Sequence, residues 1–267
     1  MNSPNFFPSK IICMTEESVE FFHAIGRSDV IQGVSVYAIR PHGVKKMHPV
    51  ISSFTHANIK KILSFTPDLV IGFSDIQKDI ARDLIAEGVD VFISNQRSLQ
   101  DILRYLNTIG NMIGEKEKTE DFLRVLVDKM NKAREISKNF LYRPKVYIEE
   151  WDEPRICGIR WFSEVVELCG GSDIFAEKSR HGIKAVDRFI TDSEVVAFNP
   201  DIILACWCGK KVEVETFKSR AGYSEISAIK NSQVIELPPE IFLQPGPALI
   251  LEGIDRLISL FLEFQKK

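Results

Sequence analysis

The stretches ILSFTPDLVI at residues 62–71 and VVAFNPDIIL at residues 195–204 follow one pattern. Two apolar residues, a small one and a phenylalanine lead, through one variable position, to Pro-Asp and three more apolar residues. The two lie half a chain apart. A second pair, GRSDVI at 26–31 and GGSDIF at 170–175, precedes them in the same order. A helix-loop-strand unit ending in Pro-Asp is common in α/β proteins, so one echo says little. Two echoes in one order predict a chain built from two similar halves.

Strand signals spread outward from these anchors. KIICM (10–14), GVSV (33–36), DLVIGF (68–73), VDVFI (89–93), KVYIE (145–149), DIILA (201–205) and QVIEL (233–237) are short, almost continuously apolar, and rich in Val and Ile. That is the look of strands covered on both faces. Helical segments alternate with them, and capping patterns at Ser74 with Gln77, at Thr191 with Glu194 and at Ser98 mark several helix starts. Gly246-Pro247 opens a last helix reaching about residue 264. The reading is α/β: two Rossmann-like lobes with mainly parallel sheets, over 1–114 and 144–267. Between them, EKEKTEDFLRVLVDKMNKAREISKN at 115–139 keeps Phe122, Leu126, Met130 and Ala133 at helical spacing, which predicts one long connecting helix within 115–143.

Composition narrows the function. The 267 residues carry a formal charge of −3 and no long basic run, so nucleic acid is not an expected partner. No apolar stretch is long enough to span a bilayer, so the chain is not expected to be membrane-embedded. MNSPNFFPSKIICM has neither the basic nor the apolar region of a signal peptide, which reads as cytoplasmic for the chain as it stands, or periplasmic or cell-surface if a leader has been trimmed. Five scattered cysteines argue against a disulfide framework.

The order GVSVYAIRP, TPDLVIGFSD, a mid-chain helix, VVELCGGSDIF and FNPDIILACW resembles the helical-backbone substrate-binding proteins of ABC importers, over about residues 10–264. Cobalamin-binding members are the most similar, through VVELCGGSDIF and the YAIRP region. The resemblance implies a monomeric, non-enzymatic protein with no required cofactor. It implies a cleft between the lobes for cobalamin, another tetrapyrrole or a metal chelate, and an ABC transporter permease as partner. YAIRP departs from the cobalamin binders in having Ile39 and Arg40 where an acidic and an aromatic residue are usual.

Ligands of open α/β sheets bind outside the carboxyl ends of the strands, and the chain's unusual clusters fall there. In the first half these are Tyr37 and Arg40 after GVSV, Phe73, Ser74 and Asp75 at the end of DLVIG, and Asn95 and Gln96 after VDVFI. Ser74 suits capping as well as it suits binding. In the second half, EEWDEPRICGIRW at 149–161 supplies Glu150, Trp151, Arg160 and Trp161, and CWCGKK at 206–211 supplies Trp207, Cys208 and Lys210. Gln244 follows QVIEL in the segment PPEIFLQPG. Indole planes beside charged side chains suit a flat conjugated ligand carrying carboxylates or amides.

The spacing of Cys206 and Cys208 matches neither a zinc knuckle nor a redox pair, and no His pair completes a metal set. In an extended chain both thiols would share a face, with Cys206 buried and inert. The runner-up function is a chelatase-like or corrinoid-processing enzyme using Glu150, Asp152 or Cys208. Three further expectations follow: Trp151, Trp161 and Trp207 lie outside any core; the loops form one cleft; and Asp79, Asp83, Glu87, Glu213, Glu215 and Glu225 are candidates for docking a permease.

Overall fold

The computed structural model describes residues 6–266, so the start of MNSPNFFPSKIICM, read above for an export signal, lies outside the described residues. The chain forms two compact units. The first runs to Gln96 and resumes over Gln100–Leu126; the second holds Arg97–Leu99 and continues from Val127.

The first unit is a five-stranded parallel sheet made of β1 (Ile11–Cys13), β2 (Ile31–Ser35), β3 (Val50–Ser52), β4 (Leu69–Phe73) and β5 (Val91–Ser94). Their order is β3-β2-β1-β4-β5. Every residue of β1 and β4 is buried, as central strands with helices on both faces must be. Ile12, Met14, Val70 and Leu84 meet in one apolar cluster beneath them. Strand order reverses between β1 and β4, which is where this architecture opens a crevice.

The second unit is a mixed sheet of β6 (Lys145–Asp152), β7 (Arg155–Cys157), β8 (Ser172–Asp173), β9 (Ile202–Ala205) and β10 (Val234–Glu236). The order is β10-β9-β6-β7, with β8 also on β6 and β7 antiparallel to it. Strands β3, β7 and β8 were not foreseen. At two or three residues each they are too short to show a period. The stretch EWDEP, expected as a loop, is instead the end of β6 and its hairpin turn into β7.

The repeated Pro-Asp does the same work twice. Asp68 accepts from the backbone N–H of Lys10 (2.9 Å), and its own N–H donates to the Lys10 carbonyl (2.8 Å). Asp201 accepts from the N–H of Lys145 (2.8 Å) and donates to the Lys145 carbonyl (2.8 Å). Each aspartate therefore locks the entry of one strand to that of its parallel neighbour, β4 to β1 and β9 to β6. The upstream echo leads likewise into β2 beside β1 and into β8 beside β6.

The mid-chain helix spans Lys116–Ser137. Residues up to Leu126 group with the first unit and those from Val127 with the second. Leu126 and Ala133 are its buried stripe. Thr191 and Glu194 form the expected reciprocal cap. The final helix begins at Pro247, as expected, passes through a π-helical segment over Leu249–Gly253 and continues α-helical over Ile254–Phe264.

Candidate functional site

In the first unit the strand ends are tied together by Gln77. Its Oε1 accepts from the Phe73 N–H (2.9 Å), and its Nε2 donates to the carbonyls of Phe54 (3.1 Å) and Met14 (3.4 Å), so one side chain gathers the ends of β4, β3 and β1. Gly72 makes room for this, since a Cβ there would collide with the Gln77 amide. Ser74 caps the following turn, accepting from the Ile76 N–H (3.3 Å). It adopts φ +58°, a conformation costly for a residue with a side chain and often retained at functional turns. Ser74, Asp75 and Asn95 line a cavity of about 500 Å³ with Lys78 and Ile93.

At the end of β1, Glu16 and Glu17 open the helix Glu16–Ala24 and are both buried. Burial pushes Glu16 up to about 7, against the pull of Lys45. Burial and the neighbouring Glu16 push Glu17 up to about 8. Gln96 lies inside as well, donating from Nε2 to Glu17 (3.2 Å).

In the second unit β6 carries a different solution. Glu149 is fully buried. It accepts from the Tyr147 hydroxyl (2.7 Å), the Trp207 indole N–H (3.0 Å) and both Nη atoms of Arg220 (2.5 and 2.9 Å). Burial opposes the Arg220 charge, but the hydrogen bonds and charge of Glu149 hold its pKa above the ordinary arginine value. The guanidinium lies 4.0 Å from the Phe217 ring centre, and Trp207 stacks on the same ring. Glu150 is paired with Arg188 (2.6 Å) and accepts from the Ile159 N–H (2.5 Å). Burial raises its pKa against the Arg188 charge.

Above this buried layer, Lys210 Nζ sits 4.5 Å from the Trp151 ring centre and 4.8 Å from that of Trp207, and donates to Asp152 (2.6 Å). Partial burial works against the Asp152 charge, yet the Lys210 hydrogen bond keeps its carboxyl below the ordinary range. A cavity of about 520 Å³ opens here, lined by Asp152, Arg155, Trp207, Lys210 and Thr216 among others. It offers aromatic faces, paired charges and hydroxyls, which suits holding a ligand.

The structure thus brings Ser74, Asp75 and Asn95 to one cavity and Trp207 and Lys210 to another, with Trp151 packed against Lys210. Tyr37 stands exposed after β2, and Arg40 reaches Glu20 (3.4 Å). Phe73 is buried in β4. Arg160 pairs with Glu164 one helical turn on (2.7 Å), and Gln244 is half-buried in the turn after Pro239–Phe242.

Two expectations are corrected. Trp161 and Trp207 are core residues, each 3% exposed. The Trp161 N–H donates to the Phe242 carbonyl (3.0 Å), and Trp207 belongs to the cluster around Tyr147 and Phe217. An indole whose N–H finds a buried acceptor packs inside despite polar neighbours in sequence. Cys206 and Cys208 do not share a face, because the chain turns after Trp207, leaving Cys206 buried and Cys208 exposed. Burial raises the Cys206 thiol above its ordinary value. Among the acids read as docking candidates, Asp79 and Asp83 pair with Arg82, Glu215 with Lys218 and Glu225 with Lys230 on the surface.

Glu16, Glu17, Arg188 and Arg220 are not singled out in the sequence reading, and Gln77 enters it only as part of a capping pattern. The two glutamates follow one residue after the apolar run IICM, so the strand-end criterion could have found them. Arg220 lies 71 residues from Glu149, and no local pattern connects the two. Among the described residues, no group of three or more His, Cys, Asp and Glu is placed to hold a metal ion, and no helix is long and apolar enough to cross a membrane.

Comparison with known proteins extends the picture. An uncharacterised ABC transporter substrate-binding lipoprotein of Bacillus subtilis is 27% identical over 266 residues, covering 94% of this chain and 79% of its own. A vitamin B12-binding protein of Vibrio cholerae is 25% identical over 276 residues, covering 98% and 92%. A solved structure of a periplasmic heme-binding protein from Roseiflexus sp. RS-1 shares the fold at a TM-score of 0.79 and 20% identity, covering 97% of this chain and 98% of that one. Residues 11–241 match the model of the family described as periplasmic binding protein, and the chain belongs to that family.

Proposed function

We propose that this protein is the substrate-binding component of an ABC importer, working outside the cytoplasm without catalysis and delivering its ligand to a permease. Its ligand is a corrinoid, another tetrapyrrole or a similar metal chelate. The observation that carries this is the end-to-end similarity to a vitamin B12-binding protein, over 98% of the chain. The wall of Trp151, Lys210 and Asp152 supports it, combining an aromatic face with directional charge. Mass spectrometry of the co-purifying small molecule, followed by titration with cyanocobalamin and with haemin, tests it. Saturable one-to-one binding of either supports the reading, and binding of neither, with no tetrapyrrole or chelate co-purifying, overturns it.

The chelatase-like alternative rests on Glu16 and Glu17, whose raised pKa values suit proton transfer near neutral pH. Glu150 and Asp152 are held in ion pairs. Metal exchange into a free porphyrin, faster than without protein and lost in Glu17→Gln, would mark that enzyme.

A further inference from the structure

Lys210 occupies a ready-made cation site. One ammonium lies against two indole faces and a carboxylate, at 4.5 Å from Trp151, 4.8 Å from Trp207 and 2.6 Å from Asp152 Oδ1. Two aromatic faces and an anion around one point are the arrangement by which proteins recognise alkylated ammonium groups. The surroundings hold this geometry without Lys210. Trp207 is fixed by its N–H bond to Glu149 and its stacking on Phe217, and the Trp151 N–H donates to the Glu153 carbonyl (2.9 Å). The occupant is the least secured member. Lys210 is 41% exposed on a turn that passes through Gly209 at φ +77°, and it borders the 520 Å³ cavity. Swinging the lysine into solvent leaves the indoles and Asp152 in place, with open volume beside them.

We propose that Trp151, Trp207 and Asp152 form a subsite for a quaternary or alkylated ammonium group of a ligand, and that Lys210 is the internal occupant this group displaces. The lysine keeps the indoles covered and the carboxylate neutralised until a cation with more apolar surface arrives. Methylated ammonium is favoured over lysine because it sheds water more readily while keeping its charge for the ring faces. This goes beyond the tetrapyrrole reading and does not depend on it.

The test is a tryptophan-fluorescence titration with tetramethylammonium chloride, run against sodium chloride at equal ionic strength, on the parent protein and on Lys210→Ala. Removing the internal competitor should tighten tetramethylammonium binding by about ten-fold, the equivalent of one modest cation–π contact. Adding Trp151→Ala to Lys210→Ala should abolish the gain. Equal affinity in parent and Lys210→Ala, or a gain that survives Trp151→Ala, overturns the proposal. If Lys210→Ala fails to fold by circular dichroism, Lys210→Gln carries the same comparison. Because the probe is a simple ammonium ion, failure here leaves the cyanocobalamin and haemin titrations to decide the tetrapyrrole reading independently.

Discussion

The central strand of the first unit leads into a helix that opens with adjacent glutamates, that of the second contains such a pair, and the chain treats the two pairs differently. Within β6, Glu149 and Glu150 each receive an arginine, Arg220 and Arg188. At the end of β1, Glu16 and Glu17 are buried with no ion pair to either among the described residues; a glutamine and the more remote charge of Lys45 are what they meet. One pair is matched by counter-charges, whereas in the other burial pushes the carboxyls up to about 7 and about 8. The two units can therefore surround a buried carboxylate pair with arginines or leave it without an ion pair, depending on what arrives from distant sequence.

Breaking the first arrangement should have the largest effect. Arg220→Met leaves the Glu149 carboxylate buried without its counter-charge and should cost about 3–5 kcal/mol in urea unfolding. Adding Glu149→Gln should recover part of that loss, and a loss under about 1 kcal/mol would show the pair to be peripheral.

The second arrangement predicts a pH slope of the opposite kind from a salt-bridged acid. Glu16 and Glu17 have folded pKa values raised to about 7 and about 8, so between the unfolded value near 4.5 and those values the folded state binds more protons than the unfolded state. Stability should therefore be full below about pH 4.5 on their account and fall as pH rises toward 8, by about 1.4 kcal/mol per pH unit for each group that titrates. The groups facing them are Cys13, Thr15, Gln96, Tyr105 and Lys45. Glu17→Gln should flatten the slope above pH 6, measured by thermal unfolding from pH 5 to 9. An unchanged slope would mean that Glu17 keeps its charge.

A smaller contrast concerns the Pro-Asp anchors. Asp68→Asn and Asp201→Asn each weaken hydrogen bonds to one strand entry, and each should cost about 1 kcal/mol. If one is silent, the two halves do not use the repeat alike.

The tryptophans sharpen the comparison spectroscopically. Trp161 and Trp207 should emit blue and resist iodide, leaving Trp151 as the quenchable fraction that Trp151→Phe removes. Arg220→Met, by loosening Glu149, should expose Trp207 to the quencher.

Much of this molecule is legible without its structure. The ordered echoes mark the two halves because Pro-Asp has a local job, closing a strand entry onto its neighbour. The strand-end criterion gathers Trp151, Trp207 and Lys210 correctly as neighbours. It misjudges Trp207 and Trp161 because their sequence neighbours are polar, while their burial depends on Glu149 and the Phe242 carbonyl, 58 and 81 residues away.

By itself the sequence determined the α/β class, the twofold repeat and the mid-chain helix, since each of these follows from periodicity, turn chemistry and local order along the chain, and its motifs resemble those of the family to which the chain belongs. Only the tertiary structure decided which buried carboxylates meet an arginine, which indoles are core and which cation fills the space between Trp151 and Trp207. Those properties are set by desolvation and by partners brought together through folding, and both depend on distances in space that spacing along the chain does not encode.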